Sequence, residues 1–240
     1  CERKSILKRP FPGDHAVRKV KEQEMVANVD YVFIVMSLNK DFSVNRVLRY
    51  ATMARQGNTI PVVILTKADL CEDVAPYMDK ILKEVPNTDV HAVSAIDNMG
   101  IDGLGQYFVP GKTIALLGSS GVGKSTLVNV LAGEEVMDTK CVREKDSKGR
   151  HTTTYRQMFV LESGVTIIDT PGMREFGMTE VEEGLRETFS DIVDLSSRCK
   201  FKNCSHKSEP GCAVKAAILS GSLSEDRLKL YKRLYKEGKK

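Results

Sequence analysis

The fold of this chain is decided by the stretch Gly118-Ser119-Ser120-Gly121-Val122-Gly123-Lys124-Ser125. It fits the pattern G-x-x-x-x-G-K-[ST], whose glycines let successive backbone N–H groups converge on a phosphate at a helix N-terminus. An apolar strand pattern, Thr113–Leu117, precedes it, and a helix pattern begins at Lys124. The sequence therefore predicts a phosphate loop, with Lys124 bridging two phosphates and Ser125 as a Mg²⁺ ligand. Nucleotide contacts are expected from all eight residues and from Thr126.

A second motif, Thr66-Lys67-Ala68-Asp69, resembles the guanine-reading [NT]-K-x-D pattern of GTPases. The Asp69 carboxylate can accept hydrogen bonds from both N1–H and N2–H₂ of guanine, whereas adenine offers no such pair of donors. Lys67 is expected to pack its stem along the base. After another short strand, Ser94-Ala95-Ile96 resembles the backbone loop that contacts guanine O6. The predicted nucleotide is therefore GTP or GDP, bound with modest affinity because Thr66 replaces the more common Asn.

The order of these motifs is inverted. In an ordinary GTPase the base-reading motif lies downstream of the phosphate loop, but here it lies upstream. A third motif, Asp169-Thr170-Pro171-Gly172, follows the apolar run 165–168; its Asp169 would hold Mg²⁺ through water, and the Gly172 N–H could bond the γ-phosphate. We therefore predict a circularly permuted GTPase domain, in which the chain after Gly172 is mechanically tied to the γ-phosphate.

Apolar runs alternate with helix patterns along the chain, which indicates an α/β fold with a parallel sheet. The strands are predicted at 31–36, 62–65, 90–93, 113–117, 158–161 and 165–168, and the helices at 44–56, 74–84 and 124–132. The turn Glu162-Ser163-Gly164 predicts that one strand is antiparallel. From about Leu185 the pattern changes to a helix, a Cys/His cluster and two more helices.

The Cys/His cluster comprises Cys199, Cys204, His206 and Cys212, spaced C-x₄-C-x-H-x₅-C. Three thiolates and one imidazole suffice for a closed tetrahedral site, so we predict one structural zinc ion per chain. The alternative is free thiols in a disordered loop. Cys1, Cys71 and Cys141 are scattered along the sequence and are interpreted as bystanders.

Two segments are basic, although the net charge of the 240-residue chain is only +4. The first contains Arg143, Lys145, Lys148 and Arg150, and the second, the last helix, contains Arg227, Lys229, Lys232, Arg233, Lys236, Lys239 and Lys240. These charges could form a solvated face or contact the phosphates of a nucleic acid. The last helix is predicted to open with a capping box, Ser222 and Glu225, and to pack through an apolar stripe of Leu228, Tyr231, Leu234 and Tyr235.

These motifs, together with Gly149-Arg150-His151-Thr152-Thr153-Thr154, resemble the ribosome small-subunit-dependent GTPase A (RsgA) family over almost the whole chain. The resemblance implies a GTPase that binds the small ribosomal subunit and its rRNA late in maturation and leaves on hydrolysis. It also implies an N-terminal OB-fold, of which only a last strand at Arg3-Lys4-Ser5-Ile6-Leu7 is matched; the chain starts at Cys1, and we expect it to be a fragment. The expected domains are an OB-fold remnant and linker at 1–20, the GTPase at 21–184 and the zinc-binding helical domain at 185–240.

Within the resemblance, the Gly149–Thr154 string occupies the switch I position, so Thr153 would sense Mg²⁺, with Thr152 as the alternative. Met173 occupies the place where Ras-like enzymes carry a water-orienting Gln, and a thioether cannot do this. His151 is the candidate replacement, because an imidazole can polarise water near neutral pH.

Two other readings are open. A placeholder that binds the ribosome and uses GTP only for its shape is favoured by Met173, whereas the enzyme is favoured by His151. A phosphate-loop ATPase or kinase is disfavoured by Thr66–Asp69 and Ser94–Ile96. The sequence contains no apolar run of about 20 residues that could span a bilayer and no signal peptide, so we expect a cytoplasmic monomer that does not act at a membrane.

Overall fold

A six-stranded sheet forms the centre of the computed structural model, which describes residues 2–10, 22–39, 42–137, 157–169 and 182–238. Its strands are β3 (Tyr31–Ser37), β4 (Ile60–Thr66), β5 (Asp89–Ala92), β6 (Thr113–Leu117), β7 (Gln157–Val160) and β8 (Thr166–Asp169); β1 (Ile6–Pro10) and β2 (Glu22–Ala27) form a separate two-stranded sheet. The strand order is β5-β4-β3-β6-β8-β7, with every neighbouring pair parallel except the antiparallel β7 and β8. All six predicted strands, and the antiparallel turn between the last two, are confirmed to within two residues.

Alternation along the strands divides the core between the two faces of the sheet. In β3, Ile34 points to one face and Phe33 to the other, and both are fully buried. The first face is covered by α1 (Val44–Gln56) and α2 (Ala75–Glu84), and the second by α3 (Lys124–Ala132) and a 3-10 helix at Asp102–Tyr107. Because parallel strands place their carboxyl ends at one edge, the ends of β3, β4, β6 and β8 all lie there, at Ser37, Thr66, Leu117 and Asp169.

Within residues 182–238, the described part of the chain after the sheet, there are four helices, and their apolar side chains join the core on the α1 face. They are α4 (Glu182–Thr188), α5 (Ser190–Ser197), α6 (Ala213–Leu219) and α7 (Glu225–Gly238). Two helices precede the Cys/His cluster where one was predicted, because the backbone of Phe189 leaves helical geometry (φ −118°, ψ 37°). Leu185 belongs to the same buried cluster as residues of α1. The domain boundary near residue 185 stays a prediction.

The start of α7 differs from the predicted capping box. Its side-chain cap is Ser224, whose Oγ accepts a hydrogen bond from Arg227 N at 3.1 Å. Ser222 instead donates from its hydroxyl to the Ala217 carbonyl at the end of α6. The predicted cap was wrong because the Ser222 hydroxyl is bonded within the tight turn between α6 and α7 and not to the start of α7. The predicted apolar stripe is confirmed for Leu228 and Leu234, which are buried, and for Tyr231, which packs partly buried against the core, but Tyr235 is 37% exposed.

An N-terminal hairpin precedes the sheet, and most of it was not predicted. Strand β1 (Ile6–Pro10) pairs antiparallel with β2 (Glu22–Ala27), and Leu7 and Met25 are buried in the core of the α1 face. The strand expected at 3–7 therefore lies three residues later. Its partner β2 was missed because Glu22–Ala27 contains three polar residues, one β-branched residue, Val26, and no aromatic residue.

No helix within the described ranges is long and apolar enough to cross a bilayer.

Candidate functional site

The phosphate loop joins the end of β6 to the start of α3, at the edge where the strand ends meet. Gly118 passes so close to β3 that a Cβ there would lie 2.5 Å from the Val35 carbonyl oxygen. Gly121 and Gly123 have φ of +80° and +95°, a conformation that residues with a Cβ rarely adopt. The glycines of the motif are therefore required by the backbone path, and the context that the motif needs, strand-loop-helix, is present.

The Lys124 ammonium is buried inside this loop and bonds to its backbone carbonyls. Its Nζ donates to the carbonyl oxygens of Gly118 and Ser119, each at 2.9 Å. Burial lowers the pKa of Lys124, while the nearby Asp169 carboxylate acts in the opposite direction. A buried cation at the first turn of α3, beside a ring of backbone N–H groups, is suited to bind an anion such as a phosphate.

Asp169 lies at the last position of β8, which pairs with Leu116 of β6. Its side chain is 1% exposed, and its Oδ1 has no hydrogen-bond partner within the described residues. Burial raises the pKa of Asp169 to about 6, although the Lys124 charge opposes this shift. An unpaired buried carboxylate oxygen next to the phosphate loop fits a hydrated Mg²⁺, whose preferred ligands are oxygen atoms.

The base-reading motif is bonded directly to the phosphate loop. Thr66 Oγ1 donates to the Val122 carbonyl at 2.5 Å, and Lys67 Nζ donates to the Gly121 carbonyl at 3.0 Å. Lys67 has a left-handed backbone, with φ of +59°. Thr66 therefore holds the two loops together. The sequence alone gave this hydroxyl no such role.

The Ser94–Ala95 loop lies against the same motif. Ala68 N donates to the Val93 carbonyl at 3.2 Å, and the buried Ser94 donates from its backbone N–H to the Met99 carbonyl at 2.9 Å. Asp69 follows in a short 3-10 helix, Ala68–Leu70, and its side chain is exposed. The fold thus brings together the loops expected to surround guanine, with the Asp69 carboxylate open to solvent.

One arginine at this site was missed by the sequence reasoning. Arg46, in the first turn of α1, donates from Nη1 to Ser119 Oγ at 2.9 Å. The only signal was its position, because α1 follows β3 and its N-terminus must lie at the same edge as the phosphate loop.

Three of the predicted site residues, His151, Thr153 and Gly172, lie outside the described residues.

A second site is formed by the four residues of the Cys/His cluster, whose potential ligand atoms all lie within 4.8 Å of one another. Cys199 Sγ is 3.9 Å from Cys212 Sγ, and His206 Nδ1 is 3.7 Å and 3.4 Å from these two sulfur atoms. A tetrahedral zinc ion with Zn–S bonds of about 2.3 Å separates its sulfur ligands by about 3.8 Å. The four side chains are therefore spaced to hold one metal ion, with Cys204 as the fourth ligand.

The surroundings of the cluster prepare His206 to act as a ligand. Its Nε2 lies 3.1 Å from Ser196 Oγ, which directs Nδ1 toward the sulfur atoms. Burial and the Lys232 ammonium lower the pKa of His206, which favours the neutral, metal-binding imidazole. The cluster has the closed ligand set of a structural site.

The last helix is basic, but one of its predicted surface charges is buried. Arg227 donates from Nε and Nη2 to the Asp191 carboxylate at 2.6 and 2.8 Å, and from Nη1 to the Glu84 carbonyl at 2.6 Å. Its guanidinium carbon also lies 4.8 Å from the Phe189 ring centroid. The prediction that Arg227 belongs to the exposed basic face was wrong, because its position in the first turn of α7 faces α5 and α2. Arg227 holds the C-terminal helices on the sheet domain.

Comparisons with known proteins identify the family of the chain. A family model described as RsgA GTPase matches residues 1–179. The chain is 46% identical over 235 residues to the small ribosomal subunit biogenesis GTPase RsgA of Methanosarcina acetivorans, covering 98% of this chain and 63% of that protein. It is 45% identical to the small ribosomal subunit biogenesis GTPase RsgA 1 of Listeria innocua, of which it covers 67%.

Solved structures agree with the fold. The structure superposes on that of YjeQ from Thermotoga maritima with a TM-score of 0.68 and 28% identity, over 99% of this chain and 76% of the other. It superposes on YloQ, described as a circularly permuted GTPase, with a TM-score of 0.64 and 28% identity, over 99% of this chain and 72% of that one. The permuted order read from the motifs is thus confirmed at the level of the fold.

Proposed function

Because this chain belongs to the RsgA GTPase family, we propose that it hydrolyses GTP with Mg²⁺ and acts in the late maturation of the small ribosomal subunit. It would bind the subunit in the GTP state and leave after hydrolysis. The relatives carry small-subunit biogenesis in their names, and this chain spans about two thirds of their length. It would work as a monomer in the cytoplasm, where subunits mature.

One observation carries the proposal: the buried Lys124 ammonium and the buried, partly unpaired Asp169 carboxylate meet at one glycine-rich loop. The Lys124 ammonium donates hydrogen bonds to two loop carbonyls. A bound phosphate oxygen would take the place of these carbonyls and accept a charge-assisted hydrogen bond. The Oδ1 atom of Asp169 has no hydrogen-bond partner within the described residues. A nucleoside triphosphate with Mg²⁺ would supply a phosphate oxygen to Lys124 and a hydrated cation to Asp169.

The other residues divide the work of binding. Backbone N–H groups from Gly121 to Ser125 would cradle the phosphates, while Ser125, Asp169 and Thr153 would hold Mg²⁺, which neutralises charge on the phosphate oxygens when bound. Asp69 would read guanine, and Thr66 would fix the distance between base and phosphate sites through its bond to Val122.

We propose that His151 orients the attacking water, in place of the Gln that other GTPases use. His151 and Thr153 owe these roles to the family resemblance. A His151→Ala variant is expected to lower the subunit-stimulated kcat and leave GTP affinity within a few-fold, because the side chain would act on the water and not on bound nucleotide.

We propose that the metal of the second site is zinc and that its role is structural. The ligand set of three thiolates and one imidazole matches zinc preferences, and the sulfur spacing matches a tetrahedron. Cys212 also caps α6 by accepting from Lys215 N at 3.4 Å, so the metal would fix the start of that helix.

The choice of nucleotide can be tested through Asp69. An amide in its place offers one acceptor and two donors, so Asp69→Asn is expected to weaken GTP binding and to favour xanthosine triphosphate, whose C2 oxygen can accept from the amide. Isothermal titration of both nucleotides measures this change. Asp97→Asn, an acidic residue in the neighbouring loop, is the matched control and should keep the preference for GTP. Unaltered base preference in Asp69→Asn would refute the assignment of this loop.

A further inference from the structure

We infer that Phe201 is a stacking platform for an unpaired RNA base, on a surface formed by Lys200, Phe201 and Lys202. The inference rests on the proposed function, because it names the chemistry through which the C-terminal part would contact rRNA. It assigns to this surface a class of ligand, a splayed-out base in single-stranded RNA, and goes beyond phosphate contacts by the basic helix.

Phe201 is placed where a phenylalanine has little structural reason to be. Among the phenylalanines of the described ranges, it alone is exposed, at 41%; Phe33 and Phe189 are fully buried, and the others are partly covered. Exposing an aromatic ring forgoes the burial that stabilises a fold. A singly exposed apolar side chain is ordinary in itself; the distinctive feature here is an exposed aromatic ring between two lysines, Lys200 and Lys202.

The loop that carries the ring is held at both ends. Phe201 lies between Cys199 and Cys204, two of the four potential metal ligands. The Phe201 carbonyl accepts from Cys204 N at 3.2 Å, and Lys200 N donates to the Gly211 carbonyl at 3.1 Å. A bound metal would fix this turn further, so the ring would be presented with little loss of conformational entropy on binding.

The charges around the ring favour RNA over protein as the partner. Lys200 Nζ lies 5.7 Å from the Phe201 ring centroid, and the Lys202 side chain is exposed. The nearby Glu209 carboxylate is bonded to the backbone N–H groups of Ser205 and Lys207, at 2.7 and 2.8 Å. Lysines are depleted from the cores of protein interfaces, whereas they meet phosphates on either side of a stacked base.

Stacking on a base requires an aromatic side chain, whereas a simple apolar contact does not. Every base has a π face, so an aromatic side chain binds it and an aliphatic side chain of similar size does not. The test therefore compares Phe201→Leu, which keeps the apolar volume, with Phe201→Trp, which keeps the π face. Leu219→Ala is the matched control, since Leu219 is 86% exposed in the same part of the chain but has no lysine beside it in sequence.

The full chain, loaded with a non-hydrolysable GTP analogue, is titrated against purified small ribosomal subunits and against a mixed-sequence single-stranded RNA 12-mer. We expect Phe201→Leu to weaken binding by about 5- to 150-fold, the range for loss of one stacked base. Phe201→Trp and Leu219→Ala should bind like the parent. Metal content and melting temperature verify that each variant is folded.

The outcomes separate this inference from the proposed function. If the parent binds subunits and Phe201→Leu binds them equally well, the stacking role falls and the proposed function stands. Full affinity in Phe201→Leu with loss in Phe201→Ala would instead indicate an apolar contact with protein and also overturns the inference. If the parent binds only the RNA 12-mer, and does so through Phe201, the inference stands while the ribosomal function falls. Binding to neither probe removes both.

Discussion

Arg46 Nη1 donates a hydrogen bond to Ser119 Oγ at 2.9 Å, which ties the first turn of α1 to the phosphate loop. At the other end of the same helix, Arg55 Nη1 donates to Thr188 Oγ1 at 2.9 Å, and Gln56 Oε1 accepts from Gly184 N at 2.9 Å. Helix α1 therefore connects the phosphate loop to α4 through side chains at both ends. A movement of the phosphate loop on nucleotide binding can therefore be transmitted through α1 to the C-terminal helices.

The first prediction concerns this contact. Arg46→Ala is expected to raise the Kd for GTP about 10-fold, or about 1.4 kcal/mol, because Ser119 loses the bond that holds the loop in its binding geometry. Titration with labelled nucleotide measures the change. Arg49→Ala is the control from the same helix, since Arg49 bonds to Glu237 and not to the loop. Equal affinities for GTP in the two variants would argue against a positioning role for Arg46.

The second prediction concerns the buried guanidinium of Arg227 in α7. Arg227→Ala is expected to lower the free energy of unfolding by about 1–3 kcal/mol, because the Glu84 and Thr188 carbonyls lose their donor, whereas the Asp191 side chain, which is 40% exposed, stays hydrated. Urea denaturation gives the value. Lys229→Ala, an exposed residue of the same helix, should change it by less than about 1 kcal/mol. A small loss in Arg227→Ala would show that the C-terminal helices dock without this residue.

The third prediction follows from the buried Asp169 carboxylate. Asp169→Asn should abolish Mg²⁺-dependent hydrolysis, yet at pH 7 and without nucleotide it should raise the free energy of unfolding by about 1 kcal/mol, because it removes a buried negative charge whose desolvation outweighs the attraction of Lys124. Burial raises the pKa of Asp169 from 3.8 in the unfolded chain to about 6. The folded state therefore binds this proton more tightly than the unfolded chain does. The contribution of the proton to the free energy of unfolding is fully present below pH 3.8 and is lost as the pH rises through about 6.

The advantage of Asp169→Asn should accordingly be present above pH 6 and shrink toward pH 4. Denaturation of both proteins at pH 4, 5, 6 and 7 traces this difference. An advantage independent of pH would mean that the Asp169 carboxyl does not titrate in the folded chain.

The fourth prediction concerns the metal cluster. Removing the metal with a chelator is expected to lower the melting temperature by several degrees, because Cys212 and the helices around it share the core of the α1 face. The native chain should contain one zinc ion by mass spectrometry, and Cys212→Ser should contain none. Cys71→Ser, which changes a cysteine outside the cluster, should keep one zinc ion. Zinc-free native protein of unaltered stability would contradict the structural role.

The sequence predicted the elements whose signals are local. Helices α1 and α3 begin and end at the predicted residues, because both are bounded by Gly or loop residues and have a clear helical period. The inner strands β3, β4 and β6 were found because parallel strands that are buried on both faces are continuous apolar runs. The edge strands β5 and β7 are more exposed, and they were found from short apolar runs next to turn residues. The phosphate loop and the Cys/His cluster were found because their spacing is fixed by the chemistry of their ligands.

The sequence did not reveal features that depend on tertiary packing. The hairpin partner β2 is a polar segment whose Met25 contributes one buried side chain, so no pattern marks it as a strand. Arg227 looked like its basic neighbours in α7, and only the docking of that helix shows that it is buried. The roles of Arg46 and Thr66 at the phosphate loop also arise from contacts between residues more than 50 positions apart.

The central claim is that this chain hydrolyses GTP at the Gly118–Ser125 loop under the control of the small ribosomal subunit. The most direct measurement is steady-state GTP turnover with Mg²⁺, with and without purified small subunits, for the parent chain and for Lys124→Ala. We predict slow turnover by the parent alone, a clear increase with subunits, and no turnover by Lys124→Ala in either condition. Equal parent rates with and without subunits, or residual turnover in Lys124→Ala, would contradict the account.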